Sequence, residues 1–440
     1  MKFTINTKEF KNVMQLVKTV ADSSASAQIT AHSICLLRAF PIEKQLKLEF
    51  CLNGSFLSYL FEDVKLDTKE KDVGEITRSV DLGSLSSLKF SGASVNITLG
   101  KSREGNTLEF QSGRLKGKLI LSHADIEKEV ESTRPPAESV ELDHTFSISD
   151  FLSALSAHNY GVHHNAQEAS KRPVRIHNKK YEETDEANIL FVSKDRIAAA
   201  SFSQPMTTPF KEEFSYYLLP KPFQAVLNAL SHDVSPVFNF GISKDFWRLH
   251  HGQIDVWFPN IIQKVNFEME DLKNLVDTSP CFTLTAPVDK LRSALSDLEP
   301  FTSDAHLFSK DDMPIIKLRI EKEAGFFSLD TSKAKDVIVE IEDSEFAINK
   351  LTYDPEESLN LNFKYLSECV AALEGKTKTK AKKKKKKDDE DVSEDKGRCI
   401  TVQWWPYQDK NSPTKGKAVC LKCEGNYYWL SRVREQTRTV

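Results

Sequence analysis

The sequence predicts an α+β chain of three tandem domains, each made of two strand–helix–antiparallel-meander units. Three observations carry this expectation. A short strand-like start that runs straight into an amphipathic helix recurs six times along the 440 residues. The starts are spaced by roughly 65–80 residues, the size of one small supersecondary unit. The segments between the helices alternate apolar and polar residues with period two.

The starts are KFTINTKEFKNVMQLV from Lys2, SVDLGSLSSLKF from Ser79, TFSISDFLSALSAH from Thr145, YYLLPKPFQAVLNAL from Tyr216, CFTLTAPVDKLRSALSDL from Cys281 and LNLNFKYLSECVAAL from Leu359. In the first helix Phe10, Val13, Met14 and Val17 follow the i, i+3, i+4, i+7 rule and predict one apolar stripe. The fifth repeats it with Val288, Leu291, Ala294, Leu295 and Leu298, the sixth with Leu366, Val370 and Leu373. Pro222 and Pro287 sit where a first helical turn tolerates proline, since the missing N–H has no intrahelical partner there. Leu46–Phe50, Val95–Leu99 and Ile316–Ile320 alternate as half-buried strands, which suits antiparallel meanders with one wet face. No glycine-rich strand–turn–helix follows any strand, which argues against a doubly wound nucleotide-binding fold.

Composition places the boundaries. The charged stretch Glu129–His144, with Pro135-Pro136, reads as one linker and Lys273–Pro280 as a second, giving domains at residues 1–134, 135–279 and 280–440. Each domain then holds two units, and two units can share a core that neither could close alone. Residues 376–397 set a lysine block beside an acidic block. Neither block can bury apolar area, so this segment reads as a disordered insertion inside the third domain. Loop-closure entropy grows slowly with length, so the insertion need not unfold its host.

Apolar residues at 40% supply material for packed cores and exclude wholesale disorder. No apolar run reaches the roughly 18–20 residues that span a bilayer, and the start MKFTINTKEF lacks a secretory pattern, so a soluble, intracellular protein is expected. Seven scattered cysteines do not read as a disulfide framework. A net charge of −4 excludes a globally basic protein, so any nucleic-acid contact has to come from local charge.

The order of these features resembles one known family. The N-terminal strand and helix, the stretch Phe110–Glu127, the turn within LFVSKDRIAAASF (Leu190–Phe202), the helix of YYLLPKPFQAVLNAL and the C-terminal strand YYWLSRV (Tyr427–Val433) are similar, in that order, to the bacterial DNA sliding clamps, the DNA polymerase III beta subunit family. The resemblance covers the whole chain apart from the insertion and points to a divergent member, cellular or phage-encoded. The turn here, Ser-Lys-Asp-Arg-Ile, is shorter than the family's and lacks its Gly-His pair. Leu-Ser-Arg replaces the C-terminal Met-Pro-Met, and Glu435–Val440 runs past the usual end.

The resemblance implies a three-domain clamp of the processivity fold, with helices lining a ring and sheets outside. Two chains would close head to tail into a homodimer around duplex DNA, bound without regard to sequence, and would tether the replicative polymerase. Further implied partners are the clamp loader and other proteins bearing clamp-binding peptides, in the cytoplasm at the nucleoid, or in the host cytoplasm for a phage protein. No membrane, cofactor, metal or enzymatic activity is implied. An enclosing ring needs only weak, salt-sensitive phosphate contacts, because tight ones would stall sliding. Lys8, Lys11 and Lys18 lie on the first helix opposite its apolar stripe and become DNA-facing candidates, with Lys89, Lys221, Lys290, Arg292 and Lys364 on the others. The same residues fit ordinary solvated helix faces, and Asp150, Asp289, Asp297 and Glu368 share those helices. Carried over by position, a partner-peptide groove would use Leu155, Arg196, Ile197, Val419, Tyr428, Leu430, Ser431 and Arg432. Leu115, Leu119, Leu298 and Phe301 are candidates for the dimer interface. The apolar residues in both sets fit plain core packing equally well.

Nothing reads as a catalytic constellation. There is no phosphate loop, nucleophile elbow or HExxH. Cys420 and Cys423 form a lone CxxC whose members face opposite ways on a strand, and structural zinc wants four ligands. The adjacent pairs His163-His164 and His250-His251 lack the i, i+4 spacing of helical metal ligation. The block Lys382–Lys387 fits a solvated tether as well as an attractor of phosphates or an acidic partner, and Asp388–Asp391 offsets it. The main alternative function is a non-ring β-rich scaffold or an open-form DNA-binding processivity factor. A nuclease or glycosidase is a weaker third reading, without a locatable site.

Overall fold

The computed structural model describes residues 1–23, 34–52, 55–61, 64–67, 75–81, 89–102, 105–120, 135, 140–158, 174–179, 188–194, 198–203, 206, 214–231, 235–260, 280–303, 314–321, 324–329, 337–349, 359–374, 398–404, 417–423 and 426–431. It is an α+β chain with five described helices: α1 (Thr7–Ser23), α2 (Ile148–Ser156), α3 (Pro220–Leu230), α4 (Val288–Ser303) and α5 (Phe363–Glu374). A strand leads into each: Lys2–Asn6, His144–Ser147, Ser215–Leu218, Phe282–Pro287 and Leu359–Asn362. The helix expected after Ser79 falls outside the described residues.

The strand-to-helix junctions have a common physical basis. The last extended residue already has the backbone shape of a helix cap, so a short polar side chain there can accept from the first turn. Asn6 Oδ1 accepts from the N–H of Lys8 at 2.8 Å and of Glu9 at 3.3 Å. Asn362 does the same for Tyr365 at 3.2 Å, and Ser147 Oγ accepts from Asp150 at 3.4 Å. α3 has no side-chain cap and starts instead on Pro220, which removes an unpaired donor.

A second junction recurs at longer range. In four of the five described helices the first N–H donates to the carbonyl just before the strand that flanks the helix's own lead-in strand. Thr7 donates to Ala93 at 3.1 Å, Ile148 to Pro236 at 2.8 Å, Val288 to Arg398 at 2.9 Å and Phe363 to Pro314 at 3.0 Å. The first two bonds span 86 and 88 residues and the third spans 110. That excess matches the 22 residues of Lys376–Gly397.

Contacts divide the chain into two compact units. The first comprises Met1–Leu152, Ile176–Ile189 and Gln204–Gln263. It holds a five-stranded sheet in the order Lys65–Asp67, Lys2–Asn6, Ser94–Ser102, Gly105–Ser112, Leu115–Ile120. It also holds an eight-stranded sheet in the order His144–Ser147, Val237–Ile242, Phe246–His251, Ile254–Pro259, Ser55–Phe61, Gln45–Leu52, Ile34–Phe40, Ile76–Asp81. α1 packs beside α3. The α1 stripe buries Phe10, Val13, Met14 and Val17 as the periodicity predicts, with Phe10 edge-on to Phe90 at 5.4 Å. Phe146, Phe151, Phe223, Phe238 and Phe240 interlock around α2 and α3, with centroids 5.2 Å apart for Phe146 and Phe151.

The outer face of the eight-stranded sheet is drier than the alternation suggests. Glu49, expected on a wet face, is buried and bonds Arg38 at 2.9 Å, and Arg38 also reaches Glu75. Nearby, Val140 and Glu141, within the stretch expected to be a linker, lie on the sheet. Val140 packs with Phe56 and Trp257, and Arg248 donates to the Val140 carbonyl at 3.1 Å while gripping Asp255 in a fork. Gly241 makes room for this strap, since a Cβ there would sit 2.0 Å from the Glu141 carbonyl oxygen.

The second unit comprises Ser153–Arg175, Leu190–Ser203 and Lys264–Val440. Ala198–Ser203, Asn426–Ser431, Lys417–Cys423, Cys399–Trp404, Phe282–Pro287 and Glu345–Ile348 lie side by side in one sheet. Val337–Ile341, Ala324–Leu329, Ile315–Glu321 and Leu359–Asn362 form another. α4 packs on α5, and their stripes bury Val288, Leu291, Ala294, Leu295, Leu298, Leu366, Val370 and Leu373 in one core with both sheets. Every described pairing is antiparallel. The Lys/Asp/Glu insertion lies outside the described residues.

Candidate DNA-facing helices and partner groove

α1 presents a clean basic face. Lys8, Lys11, Gln15 and Lys18 are all exposed, one helical stripe opposite the buried one. Lys364 is exposed on α5 and Arg292 on α4. Lys89 is exposed but stands outside any described helix, and the Lys221 side chain in the first turn of α3 lies outside the described residues. Lys290 is already occupied. Its ammonium bonds Glu342 and lies 3.6 Å from Asp343 at the turn joining Val337–Ile341 to Glu345–Ile348. Those carboxylates raise its pKa, and the lysine lowers that of Glu342. Among the acidic companions Glu368 is buried, whereas Asp150, Asp289 and Asp297 are exposed.

The groove residues separate by strand alternation. Val419, Tyr428 and Leu430 are fully buried in the core under α4 and α5, and Leu155 is fully buried in α2. Val419, Tyr428 and Leu430 point into the core because alternate positions of a strand face opposite sides. The other side of Asn426–Ser431 carries Tyr427 and Trp429, whose rings stack at 5.7 Å, with the Lys422 ammonium 5.3 Å from the Tyr427 ring. Sequence reasoning passed over this pair. The alternation within NYYWLS could have found it once Leu430 was known to point inward. Ser431 closes the strand, its side chain outside the described residues, as are Arg196, Ile197 and Arg432.

Beneath this strand a buried polar knot closes the end of α2. The Tyr428 hydroxyl donates to the Ala157 carbonyl. Ser201 Oγ donates to the Ala154 carbonyl at 2.7 Å, and His158 Nε2 lies 2.9 Å from the same Oγ. With the serine proton committed, His158 is the donor and carries its proton on Nε2. Burial lowers the His158 pKa from 6.5 to about 3, so the ring is neutral at pH 7. The unfolded chain takes up that proton below pH 6.5 while the folded one does not until about 3, so this contribution is whole above 6.5 and falls as pH drops. Between pH 7 and pH 5 urea unfolding should show a loss of about 2 kcal/mol from this group. In His158→Asn, which keeps an N–H donor, that share of the loss should vanish; equal pH dependence in both proteins would refute it.

The cysteines suit packing. Cys420 faces the Trp429 side of its strand and Cys423 the core, so the two cannot ligate together. Burial pushes the Cys420 thiol up to about 12. His251 bonds the Ser235 carbonyl at 3.2 Å, and His163 and His164 lie outside the described residues. Among the described residues no three metal-binding side chains converge, and no helix is long and apolar enough to cross a membrane.

No protein-family model matches the sequence, and no curated protein does. Solved structures match over nearly the full length. The DNA polymerase III beta subunit of Thermotoga maritima is 13% identical, with 98% of this chain and 99% of that one covered at a TM-score of 0.65. The DNA polymerase sliding clamp of Caulobacter crescentus is 13% identical, with 99% and 100% covered at 0.66. The DNA polymerase III beta subunit of Pseudomonas aeruginosa is 14% identical, with 99% and 100% covered at 0.65.

This is the sliding-clamp fold.

Within the sliding-clamp fold the interface candidates take distinct places. Leu115 and Leu119 are half-buried on Leu115–Ile120, the edge strand of the five-stranded sheet. Phe301 is 40% exposed near the end of α4. Leu298 is fully buried between α4 and the sheets, where the helical period carries it inward, and so takes the core alternative that the sequence left open. A further edge strand, Val337–Ile341, exposes Ile338 at 44%.

Proposed function

We propose that this chain is a DNA polymerase sliding clamp: a homodimeric ring around duplex DNA that tethers the replicative polymerase in the cytoplasm and does no bond chemistry itself. The observation that carries this reading is the match to sliding clamps over 98–99% of this chain and 99–100% of theirs.

Three domains at 1–134, 135–279 and 280–440 are supported by the repeated first-turn bond, which occurs at Thr7 in the first, at Ile148 in the second and at Val288 and Phe363 in the third. DNA contact is assigned to the α1 stripe Lys8, Lys11 and Lys18, with Arg292, Lys364, Lys89 and Lys221 as further candidates. Lys290 contributes less because it is held by two carboxylates. Ring closure is assigned to edge pairing of Leu115–Ile120 with Val337–Ile341 of a second copy. Exposed Lys116 and Lys118 on the first strand complement exposed Glu340 on the second. Peptides of the polymerase, the clamp loader and other partners are assigned to Arg196, Ile197, Ser431 and Arg432, with Tyr427 and Trp429 as aromatic neighbours and Leu155, Val419, Tyr428 and Leu430 as the floor beneath.

Loading on nicked circular and on linear duplex tests the reading. Retention on the circle with rapid loss from the linear molecule is the expected result, since a ring leaves only at an end. Equal loss from both, or salt-independent binding to both, would favour an open-form DNA-binding protein and overturn the ring.

A further inference from the structure

Three fully buried side chains from three separate segments converge on one helix end. Tyr428 comes from the strand Asn426–Ser431, Ser201 from Ala198–Ser203 and His158 from the turn after α2. A helix leaves its last carbonyls without intrahelical donors, and buried carbonyls need partners. Here the Ala154 carbonyl takes the Ser201 hydroxyl at 2.7 Å and the Ala157 carbonyl takes the Tyr428 hydroxyl. His158 completes the set, its ring Nε2 bonding Ser201 Oγ at 2.9 Å and its backbone N–H donating to the Leu155 carbonyl at 3.1 Å. Ala157 belongs to the same core as Tyr428, Leu430 and Val419. The helix end is therefore tied to the C-terminal strand by directional bonds as well as by apolar contact. Tyrosine is needed for that: phenylalanine would fill the same space and leave the Ala157 carbonyl unanswered.

We propose that Tyr428, Ser201 and His158 form a latch that positions the end of α2, with Leu155, on the inner side of the strand Asn426–Ser431 and so sets the floor of the partner groove. This rests on the clamp reading above, in which α2 belongs to the second domain and the strand to the third. The three are positioning residues; Tyr427 and Trp429 lie on the opposite side of the same strand and inherit its placement.

Hydrogen exchange and peptide binding on the full-length chain test the latch. The probe is a fluorescent peptide carrying an adjacent leucine and phenylalanine, the side chains an apolar groove would anchor. Tyr428→Phe should speed exchange at the amides of Ala157 and His158 about tenfold and weaken the peptide about fivefold, leaving exchange in the strand Val237–Ile242 unchanged. Ser201→Ala should do the same, and it stands in if Tyr428→Phe does not fold. Unchanged exchange in both variants overturns the latch. Faster exchange with unaltered peptide affinity overturns the positioning role. A peptide that fails to bind even the unaltered chain overturns the groove and the positioning role with it, while the exchange result still decides whether the helix end is latched.

Discussion

On the proposed ring closure, the chain carrying Ile338→Lys will run as a monomer at micromolar concentrations where the unaltered chain will run as a dimer. Ile338 lies on Val337–Ile341, an edge strand with unpaired backbone groups on one side, and its side chain is 44% exposed where the sheet ends. Pairing that edge with Leu115–Ile120 of another copy would satisfy both rows of backbone groups and cover Ile338, Leu115 and Leu119. A lysine at position 338 would remove that apolar cover and set a like charge beside Lys116 and Lys118, which together cost on the order of tenfold or more in dissociation constant. Ile42→Lys is the control, since Ile42 is 79% exposed in a turn between two strands of the other sheet and should leave the dimer intact. Sedimentation reads the result directly. A dimer that survives Ile338→Lys, or an unaltered chain that is already monomeric, removes this edge from ring closure.

Leu298→Ala should destabilise the second unit by about 2–5 kcal/mol without weakening association of the folded chain. Leu298 is fully buried with Leu291, Leu295 and Leu373 between helices and sheets, so truncation leaves a cavity that neighbouring side chains fill only in part. An interface residue would behave in the opposite way, shifting the dissociation constant and sparing the monomer. Urea unfolding followed by fluorescence of Trp404 and Trp429, both buried in this unit, separates the two. A normal unfolding midpoint with a weaker dimer would return Leu298 to the interface.

The helices and their buried stripes were legible because the helical period leaves a residue-level trace. Phe10 through Val17 and Val288 through Leu298 went inward where the i, i+3, i+4, i+7 rule put them. The alternating strands were nearly as clear, with Val95, Ile97 and Leu99 buried and their neighbours partly exposed. The failures share one cause. Glu49 sits on the face that alternation calls wet, yet Arg38 and Glu75, distant in sequence, close over it. Composition marked the stretch around Val140 as a linker but did not show that Arg248 and the bare backbone of Gly241 receive Val140 and Glu141. Tyr428 was carried over to the groove by position from the family resemblance, and its strand's register with Lys417–Cys423 sets it under the helices.

Local periodicity, cap chemistry and turn composition are properties of neighbouring residues, so the amino-acid order alone determined the strand–helix units, their number in outline and the side each helix buries. Pairings across a hundred residues or more depend on which strand lies beside which, and no short window holds that information. Tertiary structure alone decided which lysine keeps a free charge and which, like Lys290, is matched by carboxylates. It likewise decided which leucine is surface and which is core, and it brought a tyrosine, a serine and a histidine to the end of one helix.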